Sequence, residues 1–324
     1  MEPTDEGDPE RMSNTEKDDA ERLLIQAPSD GMLPAAVPAD ARPAEGVSPA
    51  AWIGAIFQHF NRRFATSVVP IFFQAEGGNP GLAGTGTLLT IADEHFLVTA
   101  DHVLKDHSVG YYITDAVQRA PQVPLGGPLA SASQPQFDVA AWKLDRRIVE
   151  RLPNRTFITL SDVDFSRSRL ADGWFLLHGF PQEWKRFDPR ASMMNCETIT
   201  HACRTYRGNA ALKNHDPVIH VVLDIDQDFS TDLEGSKPRS RGSLKGVSGS
   251  TIWQFHRDGE VLAPGDTPIV KAVGIETSVH GSRGDLVMGT RWAAVLVLIR
   301  KQFPRLRDAI QVHLNARDAK LFRG

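Results

Sequence analysis

Three short segments, in chain order, hold side chains whose combination could carry out nucleophilic acyl transfer. His102 lies in FLVTADHVL, Asp138 in FDVAAWKLD and Ser248 in LKGVSGSTIW. An imidazole can take a hydroxyl's proton, and a carboxylate can fix which ring nitrogen carries the hydrogen. A serine hydroxyl assisted in this way becomes a nucleophile. Gly246 and Gly249 flank the serine, so the backbone there can turn tightly and aim N–H groups at a developing oxyanion. Each segment alone also has an ordinary reading. GVSGS reads as a β-turn. His102 is one of 11 histidines, with His95, His107 and His178 as close competitors. Asp138 opens an apolar run, where a partly buried carboxylate needs a hydrogen-bond partner, either an imidazole or a turn amide. The pentapeptide is not G-x-S-x-G, because its fifth residue is Ser250. After Ser248 only His256, His280 and His313 remain, which leaves little chain for a site of Ser–acid–His order.

The elements that must hold these residues read as short strands. β-branched and aromatic runs separated by Gly, Pro and Asp clusters occur at 67–73, 86–91, 95–100, 110–114, 138–144, 157–160 and 174–180. A second set occupies 218–225, 250–255, 260–264, 269–277 and 285–290. Many short strands with frequent turn signals predict a sandwich or barrels rather than alternating βαβ units. Ahead of them, SPAAWIGAIFQHFNRR at 48–63 places Trp52, Ile53, Ile56, Phe57 and Phe60 at helical spacing, a face that packs on the domain behind it. The segment RWAAVLVLIRKQFPRLRDAIQVHL predicts a terminal helix interrupted near Pro304.

Taken together, the segments resemble the chymotrypsin-like (trypsin-fold) serine proteases, closer to the compact bacterial HtrA-type branch than to secreted digestive enzymes. VTADHV is similar to that family's histidine motif, FDVAAWKL to its aspartate strand and GVSGSTIW to its nucleophile loop. AGTGTLLT at 83–90 and HGFP at 178–181 also fit, and AVGIET at 272–277 resembles the strand beside bound substrate. His102 and Asp138 are 36 residues apart and Asp138 and Ser248 are 110 apart, over a resemblance covering about 66–300. The resemblance implies Ser248 as nucleophile, His102 as general base then acid, and Asp138 as the group that orients the imidazole. It also implies an oxyanion hole from the Gly246 and Ser248 N–H groups, and substrate contact at Val273, Gly274 and Ile275. The residue before the histidine, small in the family, is Asp101, which the resemblance tolerates if it points to solvent. Val247 stands where zymogen-activated members keep an aspartate, so activation through a new N-terminal amine is not expected. Gly242, six before Ser248, argues against a Lys or Arg preference at the cleavage site.

The expected fold is all-β: two antiparallel barrels, at 66–165 and 166–295, with a C-terminal helix, behind a leading helix at 48–65. Residues 1–47 read as a disordered tail, acidic first and then rich in Pro and Ala, with a short helix near 18–26. Nine acids against three bases in residues 1–22 give that stretch a charge of -6. The whole chain carries -4, so the remainder is about +2 and implies no nucleic-acid surface. No apolar run approaches the ~18 residues of a membrane span, and the N-terminus lacks a signal-peptide pattern, so the cytoplasm is the expected location. Cys196 and Cys203 are too few for a disulfide scaffold and are expected to be free thiols. DIDQD at 224–228 fails the EF-hand pattern, with Phe229 at its sixth position and Gly235 at its twelfth. Lys237, Arg239, Arg241 and Lys245 form a basic loop before the nucleophile, either solvated or attracting acidic substrates. No cofactor or metal is expected, and the expected partner is a protein or peptide. Two functions are compatible with these residues: a serine endopeptidase, or an idle relative that binds a peptide in the cleft.

Overall fold

The computed structural model describes residues 49–74, 80–105, 110–116, 121–126, 131–134, 137–164, 173–188, 190, 193–208, 212, 214–231, 244–256, 269–281 and 284–313. The tail at 1–47, the helix near 18–26, the strand at 260–264, Gly242 and the basic residues Lys237, Arg239 and Arg241 lie outside the described residues. The chain enters through helix α1 (Pro49–Arg63). A first antiparallel sheet comes next, made of β1 (Val68–Gln74), β2 (Pro80–Ile91), β3 (Glu94–Ala100), β4 (Tyr111–Thr114), β5 (Gln122–Pro124), β6 (Ser131–Gln134) and β7 (Val139–Lys143). Its order is β5-β4-β1-β2-β3-β7-β6. After the one-turn helix α2 (Arg146–Val149), β8 (Ile158–Thr159) adds to β2 in parallel.

The second half contains β9 (Trp174–Gly179), a hairpin of β10 (Lys185–Asp188) and β11 (Met193–Cys196), β12 (Ile199–Thr205) and β13 (His220–Thr231). It continues with β14 (Thr251–His256), β15 (Lys271–His280) and β16 (Leu286–Arg291). Six of these strands close into a barrel, in the order β12-β13-β16-β15-β14-β9. Helix α3 (Trp292–Gln302) leaves the last strand and stops at Phe303, where Pro304 cannot continue the hydrogen-bond ladder. The fold class is all-β with a C-terminal helix. No helix among the described residues is long and apolar enough to cross a membrane.

Two-residue periodicity explains why several strands read as almost continuously apolar. In β1, Val69 and Ile71 enter one core, with Leu88, Leu97 and Trp142, while Val68 and Phe72 face the opposite way. In β9, Phe175 and Leu177 fill the barrel interior, and Trp174 and Leu176 face outward into a shared layer. That layer is the largest core. It joins both sheets to α1 and α3, so each sheet is buried on both faces. Phe60 of α1 is fully buried there, edge-on to Trp253 with ring centroids 5.3 Å apart. Its burial alone stabilises by roughly 1.5–3 kcal/mol. The leading helix is therefore part of the fold's central layer.

Candidate active site

The register of the first sheet brings His102 and Asp138 together. β3 and β7 pair antiparallel, with Ala100 opposite Val139. A residue just past the end of β3 therefore lies beside one just before β7. His102 sits in the single 3-10 turn Asp101–Leu104 that follows β3. The Asp101 N–H donates to the Asp138 carbonyl (3.0 Å) and the His102 N–H to Asp138 Oδ1 (2.9 Å). The other carboxylate oxygen, Oδ2, is 2.7 Å from His102 Nδ1. With a carboxylate there, Nδ1 carries the hydrogen and Nε2 keeps a free lone pair. The Asp138 hydrogen bond raises the His102 pKa above its usual value, against the opposing effect of partial burial. Asp138 holds this pose with φ at +49°, in a left-handed conformation that Asp tolerates better than most residues. Thr290 of β16 fixes the preceding residue by donating to the Phe137 carbonyl.

The serine loop belongs to the barrel but is bonded to the first sheet. Val247 is fully buried in the barrel core and anchors the turn from below. Thr85 of β2 holds the loop from the other side. Its N–H donates to the Ser248 carbonyl and its hydroxyl to the Gly246 carbonyl, both at 2.8 Å. The Phe180 N–H donates to that same hydroxyl at 3.1 Å, and Thr99 Oγ1 donates to the Thr85 carbonyl at 2.7 Å. The approach is close enough to require glycine. A Cβ on Gly249, where φ is +90°, would lie 2.2 Å from the Thr85 carbonyl oxygen and 2.0 Å from Thr99 Oγ1. Among the described residues, neither the Gly246 nor the Ser248 N–H has a hydrogen-bond acceptor. Two backbone donors thus remain unused beside the hydroxyl. No hydrogen bond joins His102 Nε2 to the Ser248 hydroxyl.

Glu276 lies against this group and was not singled out by the sequence, although it falls within AVGIET. It is fully buried. Burial pushes its pKa up to about 8, opposed by the nearby His102 and by the Ser248 hydroxyl beside it. That hydroxyl favours the charged form, yet neither Glu276 oxygen has a hydrogen-bond partner of normal geometry. Only its burial and its carboxyl type could have flagged it, and a lone Glu in a strand pattern carries no signal of burial.

Two expectations change. Gly274 and Ile275 are paired to both β14 and β16, Val273 sits at the register shift of the β14 ladder, and the side chains of Val273 and Ile275 are fully buried. The backbone of Gly274 and Ile275 is already paired, so it offers no free edge to a peptide. The ladder with β14 ends at the serine loop, where the Gly249 N–H donates to the Glu276 carbonyl and the Glu276 N–H to the Ser250 carbonyl, each at 2.8 Å. Beyond that point β15 pairs only with β16 among the described residues, so the open edge begins after Glu276. Asp101 is buried, 8% exposed, rather than turned to solvent. The competing histidines have other surroundings. His178 is fully buried with Nδ1 2.8 Å from Thr200 Oγ1, and burial holds its pKa at about 3. His95 stands edge-on to Phe157, and His107 lies outside the described residues. Cys196 and Cys203 are buried thiols in different cores and no disulfide joins them. DIDQD lies within β13, and Lys245 is exposed.

No family model matches the chain, and no curated protein matches it. Solved structures that are similar include the HtrA-type protease AlgW with a tripeptide, at 14% identity and a TM-score of 0.42. The match covers 75% of this chain and 63% of that one, so the chain spans less than two thirds of its length. A structure described under the coupled folding and binding of the intrinsically disordered Sesbania mosaic virus VPg protein is similar at 14% identity and a TM-score of 0.38. That match covers 71% of this chain and 87% of the other.

Proposed function

We propose that the chain is a serine endopeptidase that works through Ser248, His102 and Asp138. The observation that carries this reading is the His102–Asp138 pair, closed by two hydrogen bonds that one carboxylate accepts, beside a glycine-flanked serine with two N–H donors that have no acceptor among the described residues. In the proposed cycle Ser248 Oγ attacks the peptide carbonyl carbon while His102 Nε2 takes the hydroxyl proton. The carbonyl π pair moves to oxygen, where the Gly246 and Ser248 N–H groups receive the charge. The intermediate collapses, the C–N bond breaks, and His102 gives its proton to the departing amine. Water, deprotonated by the same imidazole, then attacks the acyl carbon, and the C–Oγ bond breaks as His102 returns the proton to Ser248, releasing the acid. Asp138 keeps the Nδ1–H tautomer throughout and stabilises the imidazolium.

Glycine at 246 and 249 supports the reading because a side chain at 249 would strike the backbone of β2 and β3, and one at 246 would strike the chain just after β9, at Phe180 and Gln182. The open edge of β15 beyond Glu276 supports a peptide substrate, since an extended chain can add to it by backbone hydrogen bonds as far as the serine. No cofactor is needed for these steps. Incubation with casein and a broad peptide library is expected to give cleavage that Ser248→Ala abolishes while the fold persists. Binding without cleavage in the wild type would favour the idle, peptide-holding alternative.

A further inference from the structure

We propose, resting on that reading, that Glu276 is a positioning residue for Ser248 whose charge state decides whether the hydroxyl is held against it or free for His102. The placement is fixed by the backbone. Gly249 and Ser250 are bonded to the main chain of Glu276, so the residue adjoining Ser248 cannot drift from it. A register shift in the β15–β16 ladder lies just beyond Glu276, between it and Ser278, and such irregularities re-aim side chains next to sites. The carboxyl is fully buried, with both oxygens unpartnered at normal geometry. Buried polar groups without partners are costly and rare. The titratable groups facing it are His102 on the turn after β3 and Asp138 before β7. The Ser248 hydroxyl stands beside it rather than bonded to His102.

In its neutral form the Glu276 carboxyl holds that hydroxyl weakly. As a carboxylate it accepts the hydroxyl proton in a charge-assisted bond, roughly twice as strong as a neutral one. Its negative charge also favours protonated His102, the form that cannot act as a base. Both effects withdraw the nucleophile when Glu276 ionises. The site is then active in a window bounded below by His102 protonation and above by Glu276 ionisation, which burial moves up to about pH 8.

The test measures the rate of Ser248 modification by a fluorophosphonate from pH 5 to 9.5, with NMR titration of the His102 ring and the Ser248 Cβ. In the wild type the rate is expected to rise and then fall with a midpoint near pH 8. In Glu276→Gln the fall is lost, leaving the variant about tenfold or more faster at pH 9.5, as one proton with that midpoint requires. Besides the titration of His102 itself, the wild-type His102 and Ser248 signals both show a second inflection near pH 8, and the variant lacks that one. The carboxamide matches the neutral carboxyl in size and hydrogen-bonding capacity, and the wild-type titration decides the matter alone should the variant not fold. A wild-type rate that stays level to pH 9.5, or a Ser248 signal without that inflection, overturns the proposal. If Ser248 is never modified, the peptidase reading fails, and the NMR inflections still decide the role of Glu276.

Discussion

Asp138 directs both of its carboxylate oxygens to His102, one to the backbone N–H and one to the ring. The first bond fixes where the histidine is and the second fixes which nitrogen is free. Asp138→Asn keeps the size but offers an NH₂ or a weaker carbonyl acceptor to Nδ1, so the wrong tautomer becomes accessible. Peptidase turnover is expected to fall roughly 10⁴-fold, with unfolding unchanged within about 1 kcal/mol. Combining Asp138→Asn with His102→Ala should cost little more than His102→Ala alone, because the three groups act as a unit. Steady-state kinetics of the single and double variants check this, and additive losses would contradict it. The pair was legible in the sequence because each member borders a strand whose apolar pattern is plain, and those strands are neighbours. Glu276 and Asp101 were not. Their burial is imposed by chain segments distant in sequence, and nothing in their local pattern announces it.

At the scale of elements, the serine loop depends on a strand of the other sheet. Thr85 is bonded to Ser248, Gly246 and Phe180 at once. Thr85→Val keeps the β-branched shape and the backbone bond to Ser248 but deletes the hydroxyl, leaving the Gly246 carbonyl and the Phe180 N–H without it. The expected cost is about 1–3 kcal/mol of stability. The loss in kcat is expected to exceed the change in KM, since the Gly246 N–H is displaced from the place where charge develops. Denaturant melts and peptide kinetics measure both, and an unchanged kcat would show that Thr85 only supports the fold. The strands carrying the histidine, the aspartate and the serine were readable. β12 was missed, since ITHACRT mixes Thr, His and Arg with apolar residues, and its alternation is hidden. Its polar residues Thr200 and His201 are buried by tertiary pairing, Thr200 against His178, while Arg204 is exposed. The open edge of β15 lies later in its segment than the expected contact residues, because only the end of the β14 pairing defines it.

For the whole molecule, buried ionisable groups set the pH range of stability. Burial holds His178 at about 3 and His201 and His220 at about 4. Unfolded, each takes a proton near 6.5. The unfolded chain therefore binds more protons between about pH 4 and 6.5, and stability is lost on acidification through that range. Glu276 acts with the opposite sign. Folded it keeps its proton to about pH 8, against 4.5 when exposed, so its contribution falls as pH rises through that interval. The raised pKa of His102 likewise adds stability below its unfolded value, which is lost as pH rises through its raised folded value. Three histidines outweigh one carboxyl below pH 6.5, which places the Tm maximum near pH 6–7. Glu276→Gln should flatten the decline between pH 6.5 and 8.5. Calorimetry across pH 4 to 9 checks this, and a level Tm throughout would contradict it.

Reactivity of Ser248 is the central claim: His102 makes it a nucleophile, in a molecule whose two sheets meet to build one site. The most direct measurement is intact-protein and peptide mass spectrometry after treatment with a fluorophosphonate at pH 7. One stoichiometric adduct is predicted on Ser248, absent in Ser248→Ala and slowed by at least about a hundredfold in His102→Ala. No adduct on the folded wild-type protein, or one that forms equally well without His102, would contradict it.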